Sequence, residues 1–142
     1  MFLWDTNILR AFIQGNAILR QHLERAAWIE IALPTVVVAE VLQGRCSAAL
    51  KATPTEAPLA HERLVQTQQM LMRFHQVPFD TDAAQFLISL QQKHRRSKRY
   101  ADLMIAATAL AGRHTVVTRN IRDFTDVLPK TQLANWIDTP PR

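Results

Sequence analysis

Short apolar runs, each closed by polar turn-forming residues, alternate along this chain with longer segments whose apolar positions recur at helical spacing. Phe2, Leu3 and Trp4 run into Asp5-Thr6-Asn7 and predict a buried strand ending at Asp5, followed by a helix over Ile8 to Ile13. After the break at Gln14-Gly15-Asn16, a second helix is expected from Ala17 to Ala27, capped by Asn16. Trp28 to Leu33 predicts a strand, and Pro34-Thr35 a turn into a helix that carries Val36, Val37 and Glu40 and stops at Gly44. Ser47 to Pro58 predicts a loop or a short helix plus turn, and Leu59 to Gln76 a helix with Leu64, Leu71 and Phe74 inward. Val77-Pro78-Phe79 predicts a short strand, with Asp80 or Thr81 capping a helix over Asp82 to His94. A helix from Arg99 to Gly112 is expected to stop at Gly112, before a strand over Thr115 to Thr118. The segment from Val127, with Leu133, Trp136 and Ile137, is expected to add an edge strand or pack on the sheet.

Such alternation predicts an α/β fold: a central, mostly parallel β-sheet flanked by helices on both faces. Right-handed crossovers then bring the carboxyl ends of the strands to one edge of the sheet, where ligands collect in open α/β folds. Asp5, Glu40, Asp102 and the turn from Thr118 to Asp123 all fall just beyond a strand or early in the helix that follows. Asp102 shares a helix face with Ile105, Ala106, Ala109 and Leu110, so its carboxylate points inward, where an unpaired charge is expensive. Glu40 likewise shares a face with Val36 and Val37. Each acid also has an ordinary structural role open to it: Asp5 and Asp123 suit helix caps, Asp102 a helix start, and Glu40 a boundary position reaching to water.

Composition narrows the classes. A chain of 142 residues, 48% hydrophobic, suits one domain. No apolar run approaches the length of a membrane helix, and Met1 leads straight into FLWDTN without a secretory signal pattern, so a cytoplasmic protein with no membrane partner is expected. The single cysteine, Cys46, excludes an intramolecular disulfide and a cysteine-based zinc site, which leaves oxygen or histidine ligands for any metal. The net charge of +5 is matched by five basic residues within seven positions: Lys93, Arg95, Arg96, Lys98 and Arg99. A basic run of this kind is commonly a solvated helix end. Beside a group of acids it also suits a phosphate backbone, with a cation between the phosphates and the carboxylates.

Three or four converging carboxylates repel one another, and the natural counter-ion is Mg2+ or Mn2+, a hard cation that keeps waters a phosphate oxygen can displace. Such a site activates water for phosphodiester hydrolysis without a serine, cysteine or lysine nucleophile.

WDTN at 4–7, VVVAEVLQG at 36–44, ADLMIAATA at 101–109 and VTRNIRDF at 117–124 resemble, in order and over nearly the whole chain, the four motifs of PIN-domain ribonucleases, in particular the VapC toxins of toxin–antitoxin pairs. The resemblance implies that residues 1–142 form one nuclease domain that cuts RNA, tRNA or another structured RNA, with Mg2+ or Mn2+ as cofactor. It implies Asp5, Glu40 and Asp102 as catalytic metal ligands, supported by Asn7 and Thr118. For the fourth acid the turn offers Asn120 where many relatives carry Asp, and Asp123 fills the later acidic place before Phe124. Arg95, Arg96, Lys98 and Arg99 are the expected RNA contacts. A homodimer and inhibition by a cognate antitoxin are further implications.

A phosphoaspartyl enzyme of the haloacid dehalogenase type needs a second Asp where this chain has Asn7, and a receiver domain needs an acidic pair after its first strand. A structure-specific DNA nuclease of the related fold, or a non-catalytic nucleic-acid-binding module using residues 93–99, stands as the alternative.

Overall fold

The computed structural model describes residues 1–94 and 98–142. Its centre is a five-stranded sheet of β1 (Phe2–Trp4), β2 (Ile31–Pro34), β3 (His75–Val77), β4 (Thr115–Val117) and β5 (Leu133–Ala134), in the order β3-β2-β1-β4-β5. Every neighbouring pair is parallel, with Leu3 opposite Ala32 on one side and Val116 on the other. A wholly parallel sheet needs cover, and among the described residues six helices supply it: α1 (Thr6–Ile13), α2 (Ala17–Arg25), α3 (Thr35–Lys51), α4 (Ala57–Leu71), α5 (Thr81–Lys93) and α6 (Tyr100–Gly112). The expected α/β architecture is thus observed. No described helix is long and apolar enough to cross a membrane.

Strand order fixes where a ligand can sit. From β1 the chain winds outward through β2 to β3, then returns to the other side of β1 to form β4 and β5. The crevice between β1 and β4 is therefore a topological switch point, open at the carboxyl ends of both strands. Asp5 follows β1 there, its backbone N–H bonded to the Val117 carbonyl at 3.3 Å, and Thr118 follows β4.

The strands are apolar because both faces are covered: Leu3, Trp4, Ala32, Leu33, Val116 and Val117 are fully buried. Trp4 anchors an aromatic group, with ring centroids 5.5 Å from Phe12, 5.4 Å from Phe74 and 6.5 Å from Trp136. Helix α6 is buried on most of its circumference, from Leu103 through Ala109, and packs on α5 and α3. Its alanines permit this close approach.

Several boundaries differ from expectation. The strand expected over Trp28 to Leu33 is split: Trp28–Glu30 is a 3-10 turn with exposed side chains, and pairing begins at Ile31. Helix α3 does not stop at Gly44 but runs to Lys51, because α4 packs alongside and outweighs the ~1 kcal/mol that glycine costs inside a helix. Only the end of the expected loop, residues 52–56, remains non-helical. Helix α4 ends at Leu71 rather than Gln76, and β3 lies at His75–Val77 rather than 77–79, in register with Ala32 to Pro34. At the end of α6, Gly112 is still helical and Arg113 takes the left-handed conformation, at φ 54°.

Candidate active site

Asp5 is only 7% exposed at the carboxyl end of β1, and its Oδ1 accepts the Ile8 N–H at 2.9 Å. It caps α1 and faces the crevice at once. Burial pushes its carboxyl above the ordinary 3.8, while the hydroxyl of Thr118 and the backbone N–H groups of Ile8 and Asn7 pull it down and the charge of Glu40 pushes it up again.

Glu40, one turn into α3, reaches the crevice from the β2 side. Its Oε1 accepts from Thr6 Oγ1 at 3.1 Å and its Oε2 from the Arg99 guanidinium at 3.2 Å. Asp102, in the first turn of α6, is half-buried. Burial raises its carboxyl as well; Arg99 lowers it, and Asp123, Asp5 and Glu40 each raise it. Four acids from four segments of sequence therefore share one electrostatic neighbourhood.

Asp5, Glu40 and Asp102 line a single polar cleft of about 280 Å³, together with Thr6, Asn7, Arg10, Arg99 and Ile105. Asp123 is exposed on a 3-10 turn, Ile121–Asp123, outside that wall yet near enough to act on Asp102. Thr118 is fully buried, and its Oγ1 accepts the Asn120 N–H at 3.0 Å, which shapes the turn after β4. Asn120 itself is exposed there.

The donor set is all oxygen, and two of its carboxyls are raised by burial and by one another, as suits a hard divalent cation. Among the described residues, no three His, Cys, Asp or Glu side chains are close enough together to enclose an ion. Glu40 has both its oxygens turned to Thr6 and Arg99. Arg99 brings positive charge to the acids, as does Arg10 on the wall of the same cleft.

Of the expected RNA contacts, Arg95 and Arg96 lie outside the described residues. Lys98 is largely enclosed, its Nζ 2.8 Å from Asp126 and donating to the Asp123 carbonyl at 2.8 Å. Arg99 is exposed but engaged with Glu40. Sequence reasoning missed Thr6 and Arg10. Arg10 had a readable signal, since it lies three residues after Asn7 on a helix, on the face that Asn7 presents.

The PIN domain family model matches residues 2–127. The chain belongs to the PIN domain family. PIN domains are generally nucleases, and the crevice at the sheet's switch point is where the fold collects this chain's acids. Among solved structures, FitAB bound to an IR36 DNA fragment is 26% identical with a TM-score of 0.74, over 100% of this chain and 99% of that one. FitAcB from Neisseria gonorrhoeae is 27% identical with a TM-score of 0.70, over 98% of this chain and 100% of that one. DNA-bound VapBC from Salmonella typhimurium, 24% identical, shares the fold at a TM-score of 0.72, over 95% and 97% of the two chains. Among curated proteins, none matches this chain. The PIN resemblance of the four motifs thus agrees with the family match, and the fold with that of the neighbours.

Proposed function

We propose that this PIN-domain chain is an endoribonuclease toxin of the VapC type, dependent on Mg2+ or Mn2+ and held inactive by a cognate antitoxin. The observation that carries the reading is the convergence of Asp5, Glu40 and Asp102, from β1, α3 and α6, on one polar cleft at the switch point of the sheet. Residues 1–142 act as a single nuclease domain in the cytoplasm, as a homodimer. The solved toxin–antitoxin complex from Klebsiella pneumoniae, of similar fold, supports an antitoxin as partner.

Asp5, Glu40 and Asp102 would hold the metal, with Asp123 as the fourth acid and Asn120 beside it. A bound Mg2+ or Mn2+ supplies a water of lowered pKa and charge stabilisation at the phosphodiester. The chain's own residues do the positioning. Asp5 is fixed by the Ile8 N–H and oriented by the buried Thr118, so its outward oxygen presents at one place. Asn7 stands at the cleft wall as a neutral hydrogen-bonding group. Arg99 offsets the acids' charge and, once Glu40 is released from it, is free to meet a phosphate.

The test is cleavage of tRNA by the purified chain, freed of antitoxin, in Mn2+, in EDTA, and against a matched DNA oligonucleotide. The proposal expects RNA cleavage in Mn2+ alone. Preferential cutting of DNA makes the chain a DNA nuclease, and binding without cutting of either makes it a nucleic-acid-binding module.

A further inference from the structure

The basic residues nearest the acid cleft are not equally available. Lys98 is bonded to Asp126 and to the Asp123 carbonyl, and Arg99 to Glu40. Arg10 on α1, by contrast, is exposed and forms no ion pair among the described residues. It lines the acid cleft, and it also lines a second polar groove of about 310 Å³ with Asn7, Gln14, Asn16 and Arg119. Asn7 and Arg10 belong to both walls, so cleft and groove adjoin at these two side chains.

The groove is built from regular structure. Asn7, Arg10 and Gln14 are spaced three and four residues apart, which sets them along one side of α1 and its C-cap. Arg119 leaves the end of β4 beside the buried Thr118, and its guanidinium is held by Asp138 Oδ1 at 3.1 Å. Asp138 is itself held by the Asn135 amide at 3.0 Å, so Arg119 has a fixed seat. Asn16 spends its oxygen on capping α2, accepting the Leu19 N–H at 2.9 Å, which leaves its amide hydrogens to donate elsewhere.

A strand whose scissile phosphate is to approach three carboxylates needs cations on the neighbouring phosphates. Two guanidiniums line one trench beside the acids: Arg10 has no ion pair among the described residues, and Arg119, bonded to Asp138 through one nitrogen and 59% exposed, keeps further N–H groups for a phosphate, while the amides between them match sugar and base edges. We propose that the trench from Asp5 along Asn7, Arg10 and Gln14 to Arg119 is the track of a single-stranded RNA segment, with Arg10 and Arg119 each holding one backbone phosphate beside the cleavage position. The track rests on the reading of the chain as an RNA-cutting enzyme, and it adds phosphate contacts on α1 and the turn after β4 to those expected of the 93–99 run.

The test is binding of a fluorescent single-stranded RNA oligonucleotide in EDTA, where no cleavage is expected, over a series of salt concentrations. Wild type is compared with Arg10→Gln, Arg119→Gln, the double variant, and Arg63→Gln on α4 as a control of equal charge change. Each groove substitution is expected to weaken binding and to reduce the slope of log K against log salt by about 0.7, and the double variant by about twice that. Arg63→Gln should leave the slope unchanged, and Arg10→Lys should restore most of it. Circular dichroism melts separate lost binding from lost folding at Arg119, and Arg10, whose side chain has no hydrogen-bond or ion-pair partner among the described residues, reports on the track alone. If wild type binds RNA and the groove variants keep its slope, the track is wrong and the nuclease reading stands. If wild type does not bind RNA, both fail.

Discussion

The guanidinium of Arg99 lies 3.2 Å from Glu40 Oε2, joining the residue before α6 to α3 across the mouth of the acid cleft. This is a positive charge where the family's chemistry calls for a metal, and it ties up one oxygen of a proposed ligand. Replacing it with Gln should leave Glu40 free to turn toward Asp5 and Asp102. With the Arg99 side chain 72% exposed, loss of the pair should destabilise the metal-free protein by less than about 1 kcal/mol. The rise in melting temperature on adding Mn2+ should be larger in Arg99→Gln than in wild type, because no ion pair has to be broken first. Equal increments would show that Glu40 takes no part in binding the metal.

The buried acids give a pH dependence opposite to that of a salt-bridged carboxylate. Asp102 holds its proton to higher pH in the fold than its ordinary 3.8, chiefly through burial, with Asp123, Asp5 and Glu40 adding to the effect and Arg99 opposing it. The unfolded chain therefore releases this proton first. The contribution of Asp102 to stability is full below about pH 4 and is lost as pH rises through the raised folded value. In EDTA, Asp102→Asn should be more stable than wild type at neutral pH, and the advantage should shrink toward pH 4. Denaturant melts at a series of pH values measure the difference, and an advantage that grows on acidification would contradict the assignment.

Thr118 is fully buried and serves both Asp5 and the Asn120 N–H. Thr118→Val keeps the shape but strands the Asn120 donor and removes a partner of the Asp5 anion. A loss of about 1–2 kcal/mol in urea unfolding is expected, with Thr118→Ser closer to wild type. A neutral Thr118→Val would mean that water takes over both contacts.

Arg113 carries the left-handed turn that ends α6, at φ 54°. An L side chain there costs about 1–2 kcal/mol, partly offset in glycine by its freer unfolded chain. Arg113→Gly should therefore stabilise the protein by about 0.5–1 kcal/mol. Gly112→Ala should not, because a Cβ at 112 would strike the His114 ring. Thermal melts of the two variants rank them, and the reverse order would contradict this reading of the cap.

How the stop of α6 came to be misplaced shows what the sequence conceals. Gly112 looked like the stop because glycine is the usual left-handed residue, but the His114 ring that crowds it is held by the Met1 amino group, 113 residues away. The same holds for Gly44 inside α3, where contact with α4 overrides a local helix-breaking preference. Legible features were those written in neighbouring residues: Asn16 capping α2, Asp80 capping α5, and acids placed just past strand ends. From those acids and the crossover rule, their gathering at one strand-end edge was predictable, whereas the order that sets β4 beside β1 and opens the crevice was not. Pairings across distant segments were not, since nothing local in Glu40 or Arg99 points to the other, 59 residues away. Arg10 was overlooked for a different reason: the dense run at 93–99 drew the electrostatic argument to itself, whereas cations act by position rather than by density in sequence.

The most direct measurement of the central claim is the chemistry of the cut ends. Purified protein should cleave tRNA in Mn2+ to fragments bearing a 5′-phosphate and a 3′-hydroxyl, as expected when a metal-activated water attacks the phosphodiester. Asp5→Ala and Asp102→Ala variants, shown to be folded, should yield no fragments, as should wild type in EDTA. Fragments ending in a cyclic phosphate, or cleavage that survives both substitutions, would contradict the assignment of these acids to a metal-dependent nuclease.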